Sequence, residues 1–300
     1  MRDPIVFFEK PLLRNPALVV GFAGWPNAGE VSTWVAAFLV KTLGGERCAE
    51  IQPDEFYDFT QQRPVVTIEG GLIRSVEYTS NVFHSVSAPD APRDLVVFVG
   101  QEPHLRWSAF TDAFFRVAES LGVVEMFAVG GLFDGIPHTV APRVSGSVNR
   151  MERLLRFPEL EINVFDYNGP VSIQSNLLAA AGNKGIPASS LWGHVPHYLQ
   201  SANPKACLAV LERLQELAGF PLDLADVRRA SRLLDEQIER IVQGKPELRE
   251  HVKNLERLHA SGPDAPAAPA RRPVPPQSPE DNVINIDLFL RKNHDPDRSA

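Results

Sequence analysis

Residues 17–45 read ALVVGFAGWPNAGEVSTWVAAFLVKTLGG, and this stretch decides the fold. The apolar run Ala17-Leu18-Val19-Val20 predicts a buried strand. The loop Gly21-Phe22-Ala23-Gly24-Trp25-Pro26-Asn27-Ala28-Gly29 follows it. Asn27 is a suitable N-cap, with Glu30 three residues on as a capping box requires. Val31, Trp34, Val35, Phe38 and Leu39 repeat at helical spacing, and Gly44-Gly45 ends the helix. The unit is the first half of a βαβ crossover. It lacks both GxGxxG and GxxxxGK[ST], and no Lys or Arg lies between Gly21 and Val40. Glu30 places a carboxylate where a phosphate would need free N–H groups, so no nucleotide is expected there. The glycines then serve tight packing, with Trp25 covering the sheet edge.

Working outward, 300 residues with 44% hydrophobic content can bury one large domain with appendages. A formal charge of -7 excludes a polyanion-binding signature, so no nucleic-acid partner is expected. The two cysteines, Cys48 and Cys207, have no metal-type spacing and suit a reducing cytoplasm as small buried hydrophobes. The start, MRDPIVFFEKPLL, has too short an apolar core for a signal peptide, and no run approaches membrane-span length. The expectation is a cytoplasmic protein without membrane contact, cofactor or metal.

Val65–Glu69 and Leu72–Tyr78 flank Gly70-Gly71 and predict a β-hairpin. Ala49–Ile51, Phe56–Phe59 and Val82–Val86 read as further strands. Asp94–Gly100, Val123–Val129 and Ile186–Gly193 read as buried strands of the parallel type. Helices are expected over Ser108–Leu121, Val148–Phe157 (with a basic face of Arg150, Arg153 and Arg156), through Leu177, Leu178 and Ala181, and over Pro204–Leu217. Alternating strands and helices with one inserted hairpin predict a three-layer α/β/α domain over 1–220 with a mixed sheet. Residues 221–260 then change to two amphipathic helices turning at Gly244-Lys245-Pro246. Their apolar stripes need covering, by the domain and by neighbouring subunits. Ser261–Glu280 is rich in proline and alanine and reads as a disordered linker. In the 281–300 tail, Val283, Ile286, Phe289 and Leu290 form an apolar island that either binds a partner or folds back on its own domain.

Four motifs together resemble the PAC2 family, in the form common in actinobacteria. They are Gly21–Gly29; Gly100-Gln101-Glu102-Pro103 with Trp107; Gly130-Gly131-Leu132 with Pro137-His138-Thr139; and Ser190-Leu191-Trp192 with Val195-Pro196-His197-Tyr198. The resemblance spans about Val6 to Ala260. It implies a phosphorylase/hydrolase-like α/β/α fold and a homo-oligomer, with a trimer favoured. Eukaryotic and archaeal relatives are associated with proteasome assembly, so proteasome-related proteins are implied partners. Some archaeal relatives dock through a C-terminal hydrophobic–Tyr–any-residue tail, whereas this sequence ends Asp297-Arg298-Ser299-Ala300. No catalytic set carries over from the family.

The glycine motifs all follow apolar strands and should gather at the carboxyl edge of the sheet, where open α/β sheets bind ligands. Glu102, His138 and His197 are the candidates for acid–base chemistry there. Gly24, Trp25, Asn27, Trp107 and Tyr198 would line the cleft. The histidines lack HxxxH or HxH spacing and both follow proline. No GxSxG elbow occurs, and Ser87, Ser145 and Ser172 stand in no distinguishing context. Two functions follow: a non-catalytic assembly chaperone or interaction scaffold, or a small-molecule hydrolase or transferase using the Glu/His cleft. Clustering of Glu102, His138 and His197 would favour the enzyme; dispersal would favour the scaffold.

Overall fold

A computed structural model describes residues 3–260. The strands are β1 (Ile5–Phe7), β2 (Ala17–Ala23), β3 (Glu46–Ile51), β4 (Val65–Glu69), β5 (Leu72–Glu77), β6 (Val82–Val86), β7 (Leu95–Gln101), β8 (Glu125–Asp134), β9 (Val144–Val148), β10 (Ile162–Asn163) and β11 (Ala188–Pro196). The helices are α1 (Val31–Leu43), α2 (Trp107–Ser120), α3 (Met151–Leu154), α4 (Ile173–Asn183), α5 (Pro204–Ala218), α6 (Ala225–Gly244) and α7 (Pro246–Ala260). Among the described residues, no helix is long and apolar enough to cross a membrane.

Nine strands form one mixed sheet in the order β1-β3-β6-β7-β2-β8-β11-β9-β10. The centre, β7-β2-β8-β11, is parallel, and the flanking β6 and β9 run antiparallel to it. The parallel strands are apolar along most of their length because helices cover both their faces. On one face Val19, Val129 and Leu191 meet Val31 and Val35 of α1 and Val210 of α5. On the other, Leu18, Phe98 and Met126 meet Phe110 and Phe114 of α2 and Leu177 of α4. The three-layer α/β/α architecture follows from these two cores.

Helices α6 and α7 continue the first core. Leu234, Ile238, Ile241, Leu248, Val252 and Leu255 are buried in the cluster that includes Leu211 and Leu214 of α5. Their stripe is thus covered within the chain, apart from Leu233 and Leu258, which stay exposed. The stripe therefore does not require a neighbouring subunit.

The start of α1 differs from a capping box. A 3-10 turn over Ala28–Glu30 is inserted, and Glu30 itself holds the position before Val31 with φ +56°. Asn27 still caps the helix from one turn back, since its Oδ1 accepts the backbone N–H of Thr33 at 3.1 Å. Gly131 must be glycine, because a Cβ there would lie 2.1 Å from the carbonyl of Ala28. That close approach lets the Gly131 N–H donate to the Pro26 carbonyl at 2.8 Å, pinning the first loop onto β8.

Residues 56–59 form turns, not a strand. Their aromatic character is spent on packing: Phe56 meets Phe110 edge-on, and Phe59 meets Tyr78. Only Met151–Leu154 of the expected Val148–Phe157 helix is helical. Its basic residues are paired, with Arg153 on the buried Glu125 and Arg156 on Glu159. The β4–β5 hairpin forms as predicted but makes a separate two-stranded sheet. The linker 261–280 and the island Val283, Ile286, Phe289 and Leu290 lie outside the described residues.

Candidate functional site

Parallel pairing of Ala23 with Gln101 and of Asp134 with Pro196 brings four strand ends to one edge. Gly24, Glu102 and His197 leave the sheet there, and His138 lies in the loop after β8. Glu102, beside Gly24, stands apart from the two histidines, whose rings both meet Tyr198 edge-on. Strands β7 and β11 are three spacings apart, roughly 14 Å, and the edge divides into two groups.

The first group is built on Glu102. Its carboxylate accepts the backbone N–H of Ile173 at 2.8 Å and that of Trp25 at 3.3 Å. Burial raises its pKa, against the lowering effect of these two donors. Gly24 has φ +104°, and a Cβ on it would stand 3.0 Å from the Glu102 Cβ. Trp25 is exposed, and Trp107 turns inward to donate its indole N–H to the Pro103 carbonyl at 2.7 Å. In this group Glu102 holds a loop and a helix start together.

The second group is built on Tyr198, which is buried beside His138. The Tyr198 oxygen accepts the His138 backbone N–H at 2.7 Å and lies 2.7 Å from His138 Nδ1. The other ring nitrogen, Nε2, lies 3.8 Å from the Glu239 carboxylate. Burial, then the charge of Lys205, lowers the His138 pKa; Asp235, Glu239 and Glu256 oppose this. Lys205 donates to the His138 carbonyl at 2.6 Å and to Asp235 at 3.2 Å, while Thr139 donates to Glu256 at 2.6 Å. The 135–142 loop is thus fastened to α5, α6 and α7. The crevice between His138, His194, Leu234 and Ile238 measures about 10 Å³, room for roughly one water. His197 is exposed, with its Nε2 3.3 Å from that of His251 on α7.

A further chain of side chains was not legible beforehand. His194 Nδ1 lies 2.7 Å from Asp134 Oδ2, and its Nε2 lies 2.8 Å from Ser145 Oγ. The His194 hydrogen bond, more than any other contact, lowers the Asp134 pKa, against the effect of burial. Carboxylate, imidazole and hydroxyl stand in the order of a nucleophile-activating triad. Ser145, however, is 3% exposed and sits within a strand paired on both sides. Its hydroxyl completes a hydrogen-bond chain across β8, β11 and β9 and is not open to a substrate. The only signal for it was alternation, which puts Ser190, Trp192 and His194 on one face of β11. Both cysteines are buried, and burial pushes the Cys48 thiol up to about 11.

Comparison with known proteins agrees with this architecture. A PAC2 family model matches residues 21–242. A solved PAC2 family protein from Streptomyces avermitilis is 33% identical, covering 75% of this chain and 95% of its own, with a TM-score of 0.69. The proteasome-assembly chaperone homologue Rv2125 of Mycobacterium tuberculosis is 29% identical, covering 79% and 99%, with a TM-score of 0.73. An uncharacterized protein of Methanocaldococcus jannaschii is 25% identical over 241 residues, 79% of this chain and 86% of that one. Matched along most of its length by the family model and by a 33%-identical relative, the chain belongs to the PAC2 family.

Proposed function

We propose that this chain is a cytoplasmic, homo-oligomeric interaction scaffold that assists a proteasome-related assembly. The observation that carries this reading is the β4–β5 hairpin. Val66 and Ile68 lie two apart on one face of β4; their partners Val76 and Ile73 join them there because a one-residue bulge at Arg74 shifts the register between the two pairs. All four are exposed, from 49% to 69%. A two-stranded hairpin is marginally stable alone, and an apolar face of this kind marks a contact surface.

The occupant is a second copy of this chain. Each copy also exposes Val164, Phe165, Tyr167 and Val171 in the extended segment after β10. Docking one copy's hairpin on another's segment is a heterologous contact; closed as a ring, its smallest form beyond two subunits is the trimer proposed here. The spacing of Glu102 from His138 and His197 supports a scaffold over a Glu/His cleft, as does the part Glu102 and His138 play in fastening loops. The proteasome connection rests on likeness to the mycobacterial relative described as a proteasome-assembly chaperone homologue.

The test is assembly of purified proteasome α and β subunits, followed on native gels with and without the full chain. An altered yield or rate of assembly, abolished by Ile68→Asp with Ile73→Asp, is the expected result. Unchanged assembly at a several-fold excess of chain would exclude the proteasome-related role.

A further inference from the structure

His197 lies just past β11 and His251 on α7, so the pair spans the junction of the sheet edge and the last helix. Their Nε2 atoms are 3.3 Å apart, and their ring centroids are 5.2 Å apart at an interplanar angle of 86°. Two imidazoles on one tetrahedral ion, with metal–nitrogen bonds of about 2.0–2.1 Å, place their nitrogens about 3.3 Å apart and their centroids about 5.2 Å apart. Both separations agree with that geometry.

The protonation pattern fits as well. His197 Nδ1 is 3.3 Å from the Asp134 carbonyl. A carbonyl only accepts, so Nδ1 carries the ring proton and Nε2 presents a lone pair. A metal-bound histidine is commonly oriented by its second nitrogen in this way. His197 is exposed and His251 half-buried, so an ion can reach them.

We propose that His197 and His251 together bind a divalent first-row transition ion, represented by Zn²⁺, which clasps α7 to the carboxyl edge of the sheet. Imidazole suits such ions and does not suit Mg²⁺ or Ca²⁺. Among the described residues no group of three or more His, Cys, Asp or Glu side chains is arranged to hold an ion. With two protein ligands on a tetrahedral ion, solvent fills the other two positions. Neither histidine lies in a metal-type motif, because the ligands come from segments 54 residues apart. The site stands independently of the scaffold reading.

The test is calorimetric titration of the metal-free, full-length chain with ZnCl₂, alongside His197→Gln, His251→Gln and, as a control on the same helix, His259→Gln. The expected result is one Zn²⁺ per chain, with affinity reduced about tenfold or more in each of the first two variants and unchanged in the third. Melting curves supply a second readout: Zn²⁺ should raise the melting temperature of the wild-type chain and not that of His197→Gln or His251→Gln. No binding by the wild-type chain at mid-micromolar Zn²⁺ would overturn the assignment. So would wild-type affinity in both pair variants.

Discussion

The Glu102 carboxylate accepts the backbone N–H of Ile173 at 2.8 Å, joining the end of β7 to the first residue of α4. It also accepts from Trp25, so one side chain fixes two loops and complements the helix N-terminus. Glu102→Ala leaves both donors without this acceptor and should cost about 1–3 kcal/mol. Glu102→Gln keeps one acceptor and removes a half-buried charge, so its loss should be smaller. Urea denaturation measures both. An alanine variant as stable as wild type would show that solvent replaces the carboxylate.

The first loop makes a paired prediction. Asn27→Ala removes the acceptor for the Thr33 N–H and should cost about 1 kcal/mol. Glu30 is held at φ +56°, a conformation that favours glycine. Glu30→Gly should therefore gain up to about 1 kcal/mol after the added freedom of the unfolded chain is counted. Thermal melts of the two variants should move in opposite directions.

Acid should loosen the junction between the 135–142 loop and the last helices. Burial holds the His138 pKa below its ordinary value, with Lys205 adding to the effect. Below about pH 6.5 the unfolded chain takes up this proton more readily than the folded one. Stability therefore falls as pH falls through that value. His138→Gln should be less stable at pH 7.5 because it disturbs Tyr198. Its denaturation midpoint should, however, drop less than the wild type's between pH 7.5 and 5.5. An equal drop would place the acid sensitivity elsewhere.

Much of the fold was legible because it rests on local signals. The run Ala17–Val20, closed by a glycine loop, reads as a buried strand, and Gly70-Gly71 between alternating runs reads as a hairpin. The residues 56–59 misled because aromatic side chains favour any half-buried surface, strand or turn, and here Phe56 and Phe59 pack from turns. Arg153 read as part of a solvated basic face, yet it reaches Glu125 on a distant strand. The site was less legible for the same reason. Glu102, His138 and His197 share an edge, but the order β7-β2-β8-β11, which sets Glu102 apart from the two histidines, is not encoded within any short window. The same ordering brings Asp134, His194 and Ser145 together from three strands.

The exposed side chains of Val66, Ile68, Ile73 and Val76 should hold copies of this chain together. The most direct measurement is multi-angle light scattering of the full chain at micromolar concentration, beside Ile68→Asp with Ile73→Asp. Both side chains are exposed, so the substitutions should leave the fold and its circular dichroism unchanged. The wild-type chain should scatter as three chain masses, and the double variant as one. A monomeric wild type, or a variant that keeps the wild-type mass, would contradict the account.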